Sequence, residues 1–397
     1  MAVLEQERAL DPESATIPGR LGSAWLAVGL LDRAIAELRR HTALDPKAAA
    51  SWANLCFALE EADRLAEAEA ACRQAVALSP SDRRYAIPLA RLLLDSGRPQ
   101  EVEALLQPVI DLAPTDQSAL VTRARGWLAL GQGPRAMEGL RALVRKAPAA
   151  RNDAAYALAQ AGAELQQASS WAEEAVATQE AKVRAGPAVP SLAQAAETRS
   201  LASYWDTLGW VRFRQERFGE AVRLLAAAAE LDSSATVHGH LGRALQAAGS
   251  PDAAAKAYAR ALVLLGPPAG TRPRLRELVG EQAMPALLAE ARADLARKQA
   301  FTGALLANAP PATPATSVRE VLLGFSDAGV LVEIHDGAGT RPPQLAPLIG
   351  QRLLVELPPG APSPLVLRAR ALCSPDGCAL ERRDGKLARE EPGRKVL

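Results

Sequence analysis

The stretch SWANLCFALEEADRLAEAEAACRQAVALSP, residues 51–80, decides the fold. Its apolar residues fall in two sets, Trp52, Leu55, Cys56 and Leu59, then Ala68, Cys72 and Ala75. Each set follows the 3.6-residue helical period, so each half is a helix with one buried stripe. The polar run Glu60–Arg64 separates the two halves. Pro80 ends the second helix and biases Ser79 out of the helical region. The stretch is two short antiparallel helices, A and B, joined by a tight turn.

The unit repeats. Prolines stand at Pro12, Pro46, Pro80, Pro114 and Pro148, each 34 residues from the last. With proline as position 32, position 20 is Ala34, Ala68, Val102 and Ala136. Position 24 is Leu38, Cys72, Leu106 and Leu140, and position 8 is Gly22, Cys56, Ala90 and Ala124. Position 7 is Leu21, Leu55 and Leu89, then departs at Arg123. Small residues at positions 8 and 20 let the paired backbones approach. Gly29, Gly97, Gly131 and Gly249 mark the turn, where helix A can end on a left-handed residue. Self-similarity at this period is the signature of a repeat architecture.

This pattern resembles the tetratricopeptide repeat, with Trp52, Leu55, Ala68, Ala75 and Pro80 in the family's places. The resemblance covers most of residues 1–266 and implies an all-α right-handed solenoid of helix pairs. Residues 152–176 read as a further pair, with Ala168 and Ala175 at the small positions. Residues 177–200 interrupt the period and read as an extended helix end plus a Pro-containing loop. Two more repeats follow, one with Trp205, Leu208, Gly209, Ala221, Leu225 and Ala228, the last with Leu241, Gly242, Ala254, Tyr258 and Ala261. Seven units are expected. Met1 falls at position 21, inside a helix B, so the reading expects either a start downstream of the biological one or a partner on that end. Residues 272–307 supply capping helices, with Leu287, Leu288, Ala291, Leu295 and Ala296 on one stripe.

The helical period ends at ANAPPATPATS, residues 307–317, a linker. Beyond it VREVLLGF (318–325) and VLVEIHDG (330–337) read as a hairpin. PPQLAPLIGQ (342–351) reads as a short helix, RLLVELP (352–358) and PLVLRARALC (364–373) as strands, and CALERR as a last strand after a Pro-Asp-Gly turn. The expected domains are a solenoid over 1–306, the linker, a small α+β module over 318–383 and a charged, disordered tail over 384–397. The AYxLA and DTLGWV helices with a CSxxxC-ending β module also resemble the C-terminal half of certain large bacterial envelope proteins. Those carry a transglutaminase-like region upstream. That region is not in this sequence, so no such activity is carried over.

Composition narrows the function. With 46 basic and 45 acidic residues the net charge is +1, which argues against nucleic-acid binding as the main task. No apolar run is long enough to span a membrane, and MAVLEQERALDP lacks the regions of a secretory signal. The compartment stays open on this reading: cytoplasmic as the sequence stands, periplasmic if the N-terminus is truncated. No nucleotide-binding or hydrolase motif is present, and no cofactor or metal is expected.

The family's geometry places positions 2, 5, 9 and 12 of the A helices along a concave groove. Position 9 is Phe57, Arg91, Arg125, Trp210 and Arg243, and Arg84 sits at position 2 one turn before Arg91. Arginines beside aromatics suit an extended peptide or protein segment bearing carboxylates. The bland alternative is a row of solvated arginines. His238 and His240, two residues apart on a helix, do not face one another as metal ligands would. His41 reads as a packed histidine, and Cys56 and Cys72 as buried free thiols that approach one another within one repeat. Cys373 and Cys378 flank a turn and could form a disulfide in an oxidising compartment.

Three functions are in contention. The first is a non-enzymatic scaffold holding a protein or peptide in the groove. The second is a regulatory or assembly segment of a larger bacterial envelope protein. The third is an enzyme with its chemistry in the C-terminal module. That module is small for a catalytic cleft and shows no convergent set of titratable groups.

Overall fold

The computed structural model describes residues 6–7, 11, 14, 16–27, 29–186, 190–264, 266–268, 270–300, 317–336, 343–354, 357–374 and 377–382. The described residues fall in two compact units, Met1–Ala163 and Glu164–Gly385. The first holds α1 (Thr16–Ala27), α2 (Leu31–Leu44), α3 (Ala49–Glu61), α4 (Leu65–Leu78), α5 (Arg83–Asp95), α6 (Val102–Leu112), α7 (Gln117–Ala129), α8 (Gly133–Lys146) and α9 (Arg151–Ala161). Odd-numbered helices are the A helices and even-numbered ones the B helices. Pro46, Pro80, Pro114 and Pro148 each follow the end of a B helix, whereas Pro12 lies outside the described residues. Asp82 and Asp116 cap α5 and α7 by accepting from the backbone N–H of Arg84 and Ala119.

The turn between A and B needs a left-handed residue. Gly97 and Gly131 supply it at φ 71° and 73°. The repeat over residues 49–80 has no glycine there, and Asp63 takes the conformation instead at φ 58°. Glu216 does the same at the matching place in the second unit.

Within a pair, positions 8 and 24 pack a small residue against a large one. A Cβ added to Gly22 would lie 2.6 Å from Leu38, and one added to Gly242 would lie 2.5 Å from the Tyr258 ring. Gly209 meets Leu225 in the same way. In the second repeat both residues are cysteines of middling size. Cys56 and Cys72 are disulfide-bonded with their Cα atoms 5.2 Å apart, a separation at which the bond fits. This corrects the expectation of two free thiols: the close approach required of every A–B pair brings the sulfurs into bonding range.

The second unit holds α10 (Leu165–Arg184), α11 (Leu192–Arg214), α12 (Phe218–Leu231), α13 (Ala235–Ala247), α14 (Pro251–Val263) and α15 (Thr271–Ala300), the last broken at Gly280 (φ 74°). Residues 177–200 hold the expected extended helix end, but the break after it is shorter than expected. Most are helix, because α10 runs on to Arg184 and α11 starts at Leu192, where Ser191 and Gln194 form a reciprocal capping box. Ala291 and Leu295 of the α15 stripe are buried.

The sheet comprises β1 (Ser317–Phe325), β2 (Leu331–Asp336), β3 (Leu365–Ser374) and β4 (Gly377–Arg382), antiparallel in the order β2-β1-β3-β4. The predicted short helix is a 3-10 helix over Pro343–Leu348. RLLVELP does not form the predicted strand: among its described residues only Arg352 makes a bridge, to Val330. Leu353 and Leu354 instead both donate to the carbonyl of Gly329, so this segment closes the end of the β1–β2 hairpin.

The sheet does not stand apart from the helices. The backbone N–H of Val366 in β3 donates to Thr198 Oγ1 of α11 at 3.0 Å, and Leu322 and Val366 pack with Ala195. Arg184 donates to the carbonyl of Gly360 at 3.0 Å, and β4 lies against α15. One compact unit therefore contains both the later repeats and the module, in place of the division expected at 307–317. That linker, Ser317 apart, and the tail from 384 lie outside the described residues. No helix among the described residues is long and apolar enough to cross a membrane.

Candidate functional site

Position 9 projects away from the stripe formed by positions 7, 8 and 11. In the first unit it carries Phe57 on α3, Arg91 on α5 and Arg125 on α7. Phe57 is 44% exposed, a large apolar side chain left on a helix face. The Arg91 guanidinium reaches Glu60 on the neighbouring A helix at 3.7 Å. Arg84 is exposed and pairs with Asp82, its own helix cap, at 2.6 Å.

These arginines share the face with carboxylates. Burial pushes Glu60 above the ordinary carboxylate range, with Arg91 pulling it back and Asp95 reinforcing the rise. Asp95, the last residue of α5, is also raised by burial, against the pull of Arg125 and Arg91. Burial lowers the Arg125 guanidinium, opposed by Tyr156 of α9 and by Asp95. Gln160 donates to the Tyr156 hydroxyl at 2.5 Å. The face is thus an alternating series, Glu60, Arg91, Asp95, Arg125 and Tyr156, across four A helices. Sequence reading picked the arginines and missed the acids. Glu60 stands at position 12, itself a groove position, so the signal was present. Asp95, at position 13, carried none.

In the second unit the expected anchors are placed differently. Trp210 is 2% exposed and offers no surface on which a ligand can lie. Its ring stacks on Phe213 at 4.8 Å and on His240 of α13 at 4.2 Å, while Arg243 lies over it at 4.6 Å. This corrects its assignment as a groove anchor: Phe213 of the same helix and His240 and Arg243 of α13 close over the ring. Arg243 is spent covering that stack. His240 Nδ1 bonds Asp206 at 2.9 Å, and His238 is buried with it. No group of three metal-ligating side chains occurs among the described residues.

Other sequence departures find local reasons. Arg123, apolar in the other repeats, lies over the Trp127 ring at 4.7 Å, with Arg135 over the same ring at 4.3 Å. His41 is half-buried and shares a 2.5 Å hydrogen bond with Ser51. Cys373 is disulfide-bonded, and the β3–β4 ladder sets it directly across from Cys378.

Residues 58–122 match the family model of the tetratricopeptide repeat. That stretch spans α3 to α7, so tetratricopeptide repeats are shown for this part of the first unit. No curated protein matches it. Solved structures similar to it include YrrB, described as a repeat protein with an unusual peptide-binding site, at 18% identity over 44% of this chain and 92% of that one, with a TM-score of 0.37. A tetratricopeptide-repeat protein from Parabacteroides merdae is 13% identical over 70% of this chain and 98% of that one, with a TM-score of 0.42. Yeast Tom70 is 13% identical over 77% and 60%, with a TM-score of 0.48.

Proposed function

We propose that the protein is a scaffold that holds an extended peptide or protein segment along the A-helix face of its first unit. The observation behind this reading is the row Phe57, Arg91 and Arg125, one per repeat. An exposed aromatic and two guanidiniums are the side chains that dominate binding surfaces. Arginine recognises carboxylates through paired hydrogen bonds, so the partner is a segment carrying Asp, Glu or a terminal carboxylate. Phe57 would seat an apolar side chain of the same segment. Nothing in this role calls for catalysis or a cofactor.

Capture of partners by the native chain at low and high salt, read by mass spectrometry, tests the reading against the triple variant Phe57→Ala, Arg91→Ala, Arg125→Ala. The expected result is a salt-sensitive partner, since exposed charge pairing is screened, and its loss in the variant with helical content unchanged. Equal capture by both proteins overturns it.

A second reading, an assembly segment of a larger envelope protein, is favoured by the Cys56–Cys72 disulfide. Such bonds persist in oxidising compartments. Native protein recovered with both thiols free would remove that support.

A further inference from the structure

Arg123 breaks the repeat's own pattern, a guanidinium at position 7 where the earlier repeats carry Leu21, Leu55 and Leu89. It lies across α7 from the groove residue Arg125, since two residues turn a helix by about 200°. Arg123 is half-buried over the Trp127 ring at 4.7 Å, and Arg135 of α8 lies over the same ring at 4.3 Å. The two charges are therefore closer together than a Debye length, about 10 Å at 0.1 M salt. One carboxylate meets them, Glu103 of α6. It accepts from Arg135 at 2.7 and 3.1 Å and from the Trp127 indole N–H at 3.1 Å, so its oxygens are taken up there. The buried Nε of Arg123 has no hydrogen-bond partner among the described residues. An aromatic ring attracts a cation without neutralising it, and a charge withdrawn from water without a counter-ion is costly.

The junction one repeat earlier shows the balanced form. There Arg73 and Arg98 meet Glu69 and Glu101 in a closed set of four contacts, from 2.6 to 2.8 Å. Glu69 and Glu103 share position 21, but position 19 changes from Glu101 to Arg135, and Gln107 and Gln132 stand where Arg73 and Arg98 stood. Two guanidiniums, Arg123 and Arg135, are thus left with one acid. We propose that this junction is a carboxylate-binding site, in which Arg123, backed by Arg135 and the Trp127 ring, takes one Asp, Glu or C-terminal carboxylate of a partner. A guanidinium lying over a ring gives up its face and keeps its in-plane N–H donors for a carboxylate. The ring also holds Arg123 in place, so little freedom is lost on binding. The missing charge is a single one, which a carboxylate supplies and a phosphate, with about two charges near neutral pH, overshoots. The site is separate from the Phe57, Arg91 and Arg125 row and does not depend on the function assigned to it.

The test uses the full-length chain with its six tryptophans labelled with nitrogen-15, read at the Trp127 indole N–H, which Trp127→Phe assigns. N-acetyl-glutamate amide is titrated at constant ionic strength, with N-acetyl-glutamine amide and inorganic phosphate titrated in parallel. The glutamate derivative should give a saturable shift, half-complete on the order of 10 mM, as suits one charge-assisted contact. The glutamine derivative should give none. Arg123→Leu, which restores the residue of the earlier repeats, and Arg123→Gln should each weaken the response at least about tenfold with helical content unchanged. Arg91→Ala with Arg125→Ala should titrate as wild type, so the groove reading and this one stand or fall separately. Absence of a saturable shift in wild type, an equal shift in the Arg123 variants, loss of the shift in the groove variant, or saturation by phosphate alone overturns the proposal.

Discussion

Reduction of the Cys56–Cys72 bond should loosen one repeat and leave its neighbours nearly untouched. The bond closes a loop with a sequence separation of 16 residues, joining α3 to α4. Chain-entropy reasoning gives such a loop about 3 kcal/mol of stabilisation. Reduction does not empty the site, because two buried thiols still pack as small apolar groups. In a solenoid each repeat contacts only its neighbours, so the loss is local and a single melting temperature would blur it. Amide hydrogen exchange over residues 49–80 resolves it. Opening of this repeat should become roughly 100-fold more frequent after reduction, as about 3 kcal/mol corresponds to about two decades. Amides of α7 and α8 should change little. The double variant Cys56→Ala, Cys72→Leu restores the combination seen at Ala90 and Leu106, both fully buried, and should exchange identically with and without a dithiol. The reasoning is refuted if verified reduction leaves exchange over 49–80 unchanged, or if the double variant responds to dithiol as wild type does.

Two other outcomes follow from the geometry. Thr198→Val should cost about 1–3 kcal/mol, because it strands the buried N–H of Val366 and removes a direct tie between β3 and α11; faster exchange or proteolysis in 365–374 with α13 unaffected is the expected signature. Glu60 has a folded-state pKa raised by burial, so its contribution to stability is fully present below the unfolded pKa near 4.5 and is lost as pH rises through the raised value. Glu60→Gln should therefore flatten the fall in denaturation midpoint from pH 4 towards neutrality and change nothing at the acid end; parallel profiles for the two proteins would contradict this sign.

The helix pairs were legible in the sequence because they are local. Trp52, Leu55 and Leu59 share a stripe through the geometry of one helix, and the 34-residue recurrence of proline sets where each pair ends. No long-range information is needed to read either. The exposure of Phe57 follows from the same periodicity, since position 9 lies off the buried stripe. Other features depend on which neighbours arrive. Trp210 holds the same repeat position as Phe57, yet it is buried because His240, Phe213 and Arg243 close over it. The acids Glu60 and Asp95 gain meaning only when adjacent A helices carry Arg91 and Arg125 beside them.

Residues 177–200 and the module show the same division. Residues 177–200 read from sequence as a helix end and a loop with prolines, but where the next helix begins, at Leu192, was not legible there. The sheet packs β3 on the lengthened α11, where Thr198 and Ala195 receive Val366 across 168 positions of sequence. What the chain determines by itself is thus the repeat, its turns and its buried stripes, all written in periods no longer than one helix pair. Which surfaces remain exposed, which cysteines bond and what the sheet rests on were decided only by tertiary packing, because each depends on the side chains that distant segments bring to the same place.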